Sequence, residues 1–277
     1  MISTKLSIIS INLNNSEGLQ KTIRSVIRQT NSDFEYIVID GNSKDGSLNV
    51  IKNFDNQITY WVSEPDSGIY NAMNKGISKS TGRYCLFLNS GDWLADENVI
   101  SDFFLEDFEE DIVSGNIIRS NNYEVRKPPS MDLLDFSLFC EGSLPHQATF
   151  IKRELFDIYG FYKENHRIVS DWEFFLKCLV INNCSYVHFD RNIAFFDING
   201  ISLKSDMLSI IESEKESVFF TSMPVLYKSY KKLKDENTVL LSHDGIYREY
   251  LNFINGKFNF IIKLLLYTKK RMKSIKY

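Results

Sequence analysis

The first hundred residues alternate between two hydrophobic rhythms, and this alternation constrains the chain more than any other feature. Residues 6–12 (LSIISIN), 34–41 (FEYIVIDG), 58–64 (ITYWVSE) and 84–90 (YCLFLNS) are short runs rich in β-branched and aromatic residues. Between them lie SEGLQKTIRSVIRQT, with Leu19, Ile23, Val26 and Ile27 at helical spacing, then DGSLNVIKNF and SGIYNAMNKGISKS. Strands that are apolar almost end to end need cover on both faces. The pattern therefore predicts an α/β fold with a mostly parallel central sheet flanked by helices and joined by right-handed crossovers.

From Asp111 the rhythm changes. DIVSGNIIR and YEVRK (123–127), separated by SNN, suggest a strand pair, and PPSMDLLDFSLFC runs from a breaker into a short helix. HQATFIKRELFDIYGFY reads as strand, helix and a stop at Gly160. Residues 170–181 form a helix with Ser170 or Asp171 near its start, and YVHFD and IAFFDI are two short strands. Helical segments dominate from about Asp206. The expected organisation is a domain over residues 1–204, with halves 1–110 and 111–204, and a helical extension over 205–277.

A parallel sheet gathers ligands at the C-terminal ends of its strands. Those ends read Asn12 and Asn14, then Asp40-Gly41-Asn42, Glu64-Pro65-Asp66 and Asn89-Ser90-Gly91-Asp92. Turns favour such residues anyway, and Asp92 by itself fits a helix cap as well as a ligand site. Carboxylates at three successive strand ends nevertheless suit a polyhydroxyl ligand or a hard metal ion. NLNNSEGL, after the first strand, matches neither G-x-G-x-x-G nor the P-loop, which argues against dinucleotide and ATP sites.

Bulk properties narrow the field further. A net charge of −4 argues against a dedicated nucleic-acid binder. Four cysteines without C-x-x-C spacing point to a reduced, intracellular protein, and the N-terminus lacks the basic start of a signal peptide. No run approaches the roughly 20 apolar residues that span a bilayer. Beyond Glu249 every charged residue is basic, which fits an amphipathic tail on an anionic membrane, a helix packed on the domain, or a dimer contact.

SIISINLNNSEGLQKTIRSVIRQ, YIVIDGNSKDGS, SEPDSGIYNAMNKGISKSTGRYCLFLNSGDWL and SDWEFF, in that order, resemble glycosyltransferase family 2 over roughly residues 5–200. The resemblance is greatest to bacterial enzymes of O-antigen, capsule and other surface polysaccharides. It implies a GT-A nucleotide-sugar fold and inverting transfer of a hexose, glucose or galactose, from a UDP-sugar. The acceptor would be a sugar on a polyprenyl diphosphate, met by a peripheral enzyme on the cytoplasmic face of the membrane. A non-catalytic nucleotide-sugar or glycan-binding subunit is the alternative.

Carried onto this sequence, the family pattern puts Asn12 and Asn14 at the nucleotide pocket and Asp40 on the uracil N–H. Asp66, Gly68 and Asn74 line the nucleotide-sugar pocket. Asp92, preceded by Ser90 and Gly91, holds Mn²⁺ or Mg²⁺ against the diphosphate. Many relatives read Asp-Ser-Asp-Asp where this chain reads Asn89-Ser90-Gly91-Asp92. One carboxylate suffices in principle, because phosphate oxygens and water complete the shell. Asp171 matches the general base, in a Ser170-Asp171-Trp172-Glu173 run that lacks the usual leading glutamate. Trp172 and Glu173 are secondary candidates, Glu173 reaching the metal or facing solvent. His146 and Gln147 match an HQA segment near the acceptor, and NGIS (199–202) resembles a loop that closes over the donor.

Overall fold

The computed structural model describes residues 6–130, 134–198 and 207–242. Strand β1 (Leu6–Asn12) is buried at every position, as its unbroken apolar run requires. Helix α1 (Ser16–Ile27) follows, started by the Asn15 side chain accepting from Gly18 N at 3.1 Å and burying Leu19, Thr22, Ile23 and Val26. The alternation continues through β2 (Phe34–Asp40), α2 (Ser47–Asn53), β3 (Tyr60–Ser63), α3 (Ile69–Lys79) and β4 (Tyr84–Phe87). β1 pairs in parallel with β2 and β4, and β2 with β3, so the parallel half is as the sequence predicts.

The second half is mixed. It contains β5 (Trp93–Leu94), α4 (Val99–Leu105), β6 (Ile112–Arg119), β7 (Val125–Arg126), α5 (Phe136–Glu141), β8 (Thr149–Lys152), α6 (Glu154–Tyr159), α7 (Ser170–Phe175) and β9 (Tyr186–Phe196). β8 runs antiparallel between β4 and β6, β9 lies parallel to β6, and β5 closes that edge antiparallel to β9. The sheet order is β3-β2-β1-β4-β8-β6-β9-β5, with β7 paired to β6 as the predicted strand pair. YVHFD and IAFFDI are one continuous strand rather than two, because β6 offers an edge along its whole length. The 170–181 helix is α-helical only to Phe175 and continues as a π-helical turn over Leu176–Ile181.

Leu6, Ile8, Tyr36, Val38, Leu86, Val113, Phe150 and Ile193 form the centre of a continuous core. On the other side of β1, α3 approaches closely: a Cβ on Gly76 would come within 2.4 Å of Ile9 Cγ2. This contact brings the start of α3 to the ends of β1 and β4.

The chain divides into two units, Met1–Val218 and Phe219–Tyr277. The described part of the second unit comprises the end of α8 (Leu208–Ser222) and α9 (Pro224–Ser242). The boundary expected near residue 204, the NGIS segment and the basic tail all lie outside the described residues. Among those described, no helix is long and apolar enough to cross a membrane.

Candidate functional site

The ends of β1 and β2 are tied together by side chains. Asp40 is fully buried; its Oδ1 accepts from Asn12 Nδ2 at 2.7 Å and Ser43 Oγ at 2.6 Å. Its Oδ2 accepts from Ser43 N at 3.0 Å and Ser63 Oγ at 2.6 Å. Burial pushes this carboxyl up, and donation from Ser43, Ser63 and Asn12 outweighs it, leaving the pKa below the usual range. The expectation that Asp40 meets a uracil ring does not fit this geometry, since the group is enclosed and each oxygen already accepts twice. Asn14 adopts a left-handed backbone (φ 50°), takes its own N–H to Ser43 Oγ at 2.8 Å and accepts from Lys44 N at 2.8 Å. Asn12 and Asn14 thus shape the rim from below.

At the end of β3, Asp66 Oδ1 accepts from Gly68 N at 3.0 Å, and Gly68 takes a positive φ of 131° as the chain enters α3. Asn74 departs from its predicted place. Its amide donates to Tyr162 O at 2.8 Å and Glu164 Oε1 at 3.0 Å and accepts from Tyr162 N at 3.1 Å, so it fastens α3 to the loop before α7.

The loop after β4 is anchored by α1. Thr22 Oγ1 donates to Asp92 O at 2.6 Å and accepts from Gly91 N at 3.1 Å, while Asn15 Nδ2 donates to Ser90 O at 3.0 Å. Gly91 has φ 107°, and a Cβ there would lie 2.9 Å from Asp197 Oδ2. Asp92 is no helix cap: the next helix is α4, whose cap position is Asn98. The Asp92 side chain is 4% exposed, accepts from Asp197 N at 2.9 Å and is hydrogen-bonded by Gln147. Burial raises its pKa to about 7; the Asp197 N–H, His146 and Gln147 pull it down, and the Asp197 charge pushes it further up.

Asp92 and Asp197 therefore bring two carboxylates together. Among the described residues no group of three or more His, Cys, Asp or Glu is placed to hold a metal unaided. Two carboxylates nonetheless suit a hard dication that keeps phosphate and water ligands, and mutual repulsion gives such an ion something to neutralise.

Across this loop stands Asp171, in the first turn of α7 but not capping it, because Val169 occupies the cap position. Tyr70 OH, from the first turn of α3, donates to Asp171 Oδ1 at 2.8 Å. His146 Nδ1 meets Oδ2 at 3.0 Å, and its Nε2 lies 3.3 Å from Asn89 Nδ2. The Asn89 Nδ2 group can only donate, so in this pairing Nε2 accepts and the proton sits on Nδ1, toward Asp171. Burial pushes the Asp171 carboxyl up, but the hydrogen bond and charge of His146, with Tyr70, hold it below the ordinary range. For His146, burial lowers the pKa and Asp171 raises it more.

The neighbours of Asp171 are structural. Glu173 neither reaches the Asp92 loop nor faces solvent: it pairs with His166 Nε2 at 2.9 Å and with Lys163. Trp172 is buried, with Nε1 donating to Phe139 O at 2.9 Å. Lys215 of α8 lies over the Trp172 ring at 4.8 Å and donates to Gly142 O at 2.8 Å; burial lowers its pKa to about 8.

Tyr70 and Asp197 escaped sequence reasoning. Tyr70 reads as one more apolar position on the buried face of an amphipathic helix, and Asp197 as a residue after a strand. A parallel half-sheet with ligand-binding strand ends, extended by antiparallel strands that deliver a second set of polar groups, is the architecture of a GT-A glycosyltransferase.

Comparison with known proteins agrees. The family model "Glycosyl transferase family 2" matches residues 7–168, and the chain belongs to that family. A PGL/p-HBAD biosynthesis glycosyltransferase of Mycobacterium tuberculosis is 32% identical over 185 residues, 64% of this chain and 71% of the relative. A cholesterol galactosyltransferase of Borreliella burgdorferi is 26% identical over 262 residues, 90% of this chain and 70% of the relative. In fold, S. aureus TarS 1–349 in complex with UDP-GlcNAc superposes with a TM-score of 0.60 at 17% identity, covering 79% of this chain and 73% of TarS 1–349. A mannosyltransferase from Pyrobaculum calidifontis, in complex with GDP-Man and Mn²⁺, does so at 0.55 and 13%, covering 69% and 56%.

Proposed function

We propose that this glycosyltransferase is an inverting, metal-dependent hexosyltransferase. It moves glucose or galactose from a UDP-sugar to a sugar carried on a lipid diphosphate, in surface-polysaccharide assembly of the O-antigen or capsule type. It works at the cytoplasmic face of the membrane. The observation that carries the reading is Asp171: a carboxylate held ionised by His146 and Tyr70, linked through His146 and Asn89 to the loop that bears Asp92.

Asp171 takes the proton of the acceptor hydroxyl as its oxygen attacks the anomeric carbon, and the bond to UDP breaks with its electron pair on the β-phosphate oxygen. A single displacement through an oxocarbenium-like state inverts the anomeric centre. His146 and Tyr70 fix the carboxylate so that an unshared lone pair meets the hydroxyl. Asp92 and Asp197 would hold Mn²⁺ or Mg²⁺, which when bound neutralises the charge growing on the diphosphate. The cholesterol galactosyltransferase supports a hexose and a lipid acceptor, the TarS complexes a uridine donor, and the mannosyltransferase complex a divalent metal.

The test is UDP release from a panel of UDP-sugars with Mg²⁺ or Mn²⁺ and a synthetic lipid-diphosphate HexNAc acceptor. Acceptor-dependent release should fall by about 10²–10⁴ in Asp171→Asn, the usual range for losing a general base. Asp92→Asn should lose its response to metal. Binding of a UDP-sugar without turnover on any acceptor would favour a non-catalytic subunit instead.

A further inference from the structure

Asp171 and His146 meet at 3.0 Å, yet they reach that contact from separate elements. Asp171 lies in the first turn of α7, and His146 follows the end of α5 by way of Gly142 and Leu144. The contact therefore depends on what joins α5 to α7 behind the pair. Lys215 of α8 touches both. Its Nζ donates to Gly142 O at 2.8 Å, at the end of α5 and four residues before His146. The same ammonium lies 4.8 Å from the centroid of the Trp172 ring, the residue next to Asp171. Phe139 O joins all three helices: it accepts from Trp172 Nε1 at 2.9 Å and, at a longer 3.4 Å, from Lys215 Nζ. A cation suits this place, because the last carbonyls of a helix carry partial negative charge and the face of an indole ring is electron-rich.

The residue before Lys215 holds α7 from its other side. Glu214 Oε1 accepts from Arg167 N at 2.6 Å and its Oε2 from Ile168 N at 3.1 Å, in the segment that leads into α7. Met207 and Val218, before and within α8, are buried and seat the helix here. We propose that Lys215 is a positioning residue: it fixes the end of α5 against the start of α7 at the separation that keeps His146 on Asp171. It acts through Gly142 and Trp172 rather than on the substrate. The proposal rests on the reading of Asp171 as general base. Burial lowers the Lys215 pKa to about 8, against the pull of Asp171 from α7 and Cys140 from α5, the titratable groups that face it. On its own helix, Glu214 is turned to the Arg167 and Ile168 N–H groups. The brace should therefore weaken as the pH rises through about 8.

The test compares the full chain with Lys215→Met, which keeps an apolar stem over Trp172 and loses the ammonium, and Lys215→Arg, which keeps a cation. Thermal unfolding establishes that each variant folds. The first readout is the titration of His146 in protein labelled with ¹⁵N-histidine, its signals assigned by their loss in His146→Gln. Wild-type His146 should titrate above the ordinary histidine value. Loosening the pair removes the pull of Asp171, so Lys215→Met should bring His146 down to the ordinary value of about 6.5 or below it, and Lys215→Arg should restore it. A cation acting only through its field would do the reverse, since its removal lets His146 hold a proton more tightly. A His146 titration that rises or stays unchanged in Lys215→Met would thus overturn the proposal. The second readout is UDP release: kcat should fall about tenfold or more in Lys215→Met with donor KM unchanged, and recover in Lys215→Arg. Wild type should lose kcat above about pH 8, and Lys215→Arg should move that loss to higher pH. A loss that stays in place in Lys215→Arg would overturn the role of the Lys215 charge. Absence of turnover by wild type on every acceptor would remove the general-base reading, and the His146 titration would still decide whether Lys215 sets the pair.

Discussion

Tyr70 and Asp40 show how single residues serve the site in opposite ways. Tyr70 touches the carboxylate proposed as the general base, donating to Asp171 at 2.8 Å from the first turn of α3. Tyr70→Phe keeps the ring and loses that bond, so kcat should fall by about ten- to a hundredfold with donor KM unchanged, as steady-state kinetics would show. A change in donor KM alone would count against a role at Asp171. Asp40 acts on the fold. Its pKa is depressed on folding, so its stabilisation is complete above the ordinary carboxylate pKa of about 3.9 and is lost as the pH falls through the lower folded value. Asp40→Asn should therefore lower the melting temperature by a constant margin at pH 5 to 8, narrowing below about pH 4. A margin that persists at pH 3 would show that the charge is not what matters.

Elements carry these residues to their places, and α3 is the clearest case. It lies against β1 through Gly76, where even one added carbon would meet Ile9 at 2.4 Å. The same helix presents Tyr70 to Asp171 and Asn74 to the 162–164 loop. Gly76→Val should cost about 1–3 kcal/mol of stability by overpacking. Because α3 must shift outward to relieve it, transfer activity should drop at temperatures where the variant remains folded. Thermal denaturation and activity measured on one preparation would separate the two effects; full activity in a destabilised variant would mean that the position of α3 does not matter to the site.

Lys257, Lys263, Lys269, Lys270, Arg271, Lys273 and Lys276 follow the last acidic residue, Glu249. Basic residues near an anionic surface contribute about 1 kcal/mol each, so the full chain should co-sediment with vesicles rich in anionic lipid and release them at high salt. Replacing Lys269, Lys270, Arg271 and Lys273 by Glu should abolish that binding and leave UDP release with a soluble acceptor intact. Equal binding of both chains to anionic vesicles would exclude the tail as the anchor.

Periodicity and punctuation along the chain encode the parallel half-sheet, the polar residues at its strand ends and the family. These are local signals, carried by hydrophobic spacing and turn residues within a few positions of one another. Which polar groups stay open depends on contacts between distant segments. Asp40, Asn74 and Glu173 resemble site residues along the chain, yet Ser63, Tyr162 and His166 arrive from elsewhere and occupy them. Conversely, Tyr70 reaches Asp171 from 101 positions away, and Asp197 reaches Asp92 from 105. Whether a carboxylate is saturated or open depends on the donors folding places within about 3 Å of it, and those come from segments that no local pattern connects.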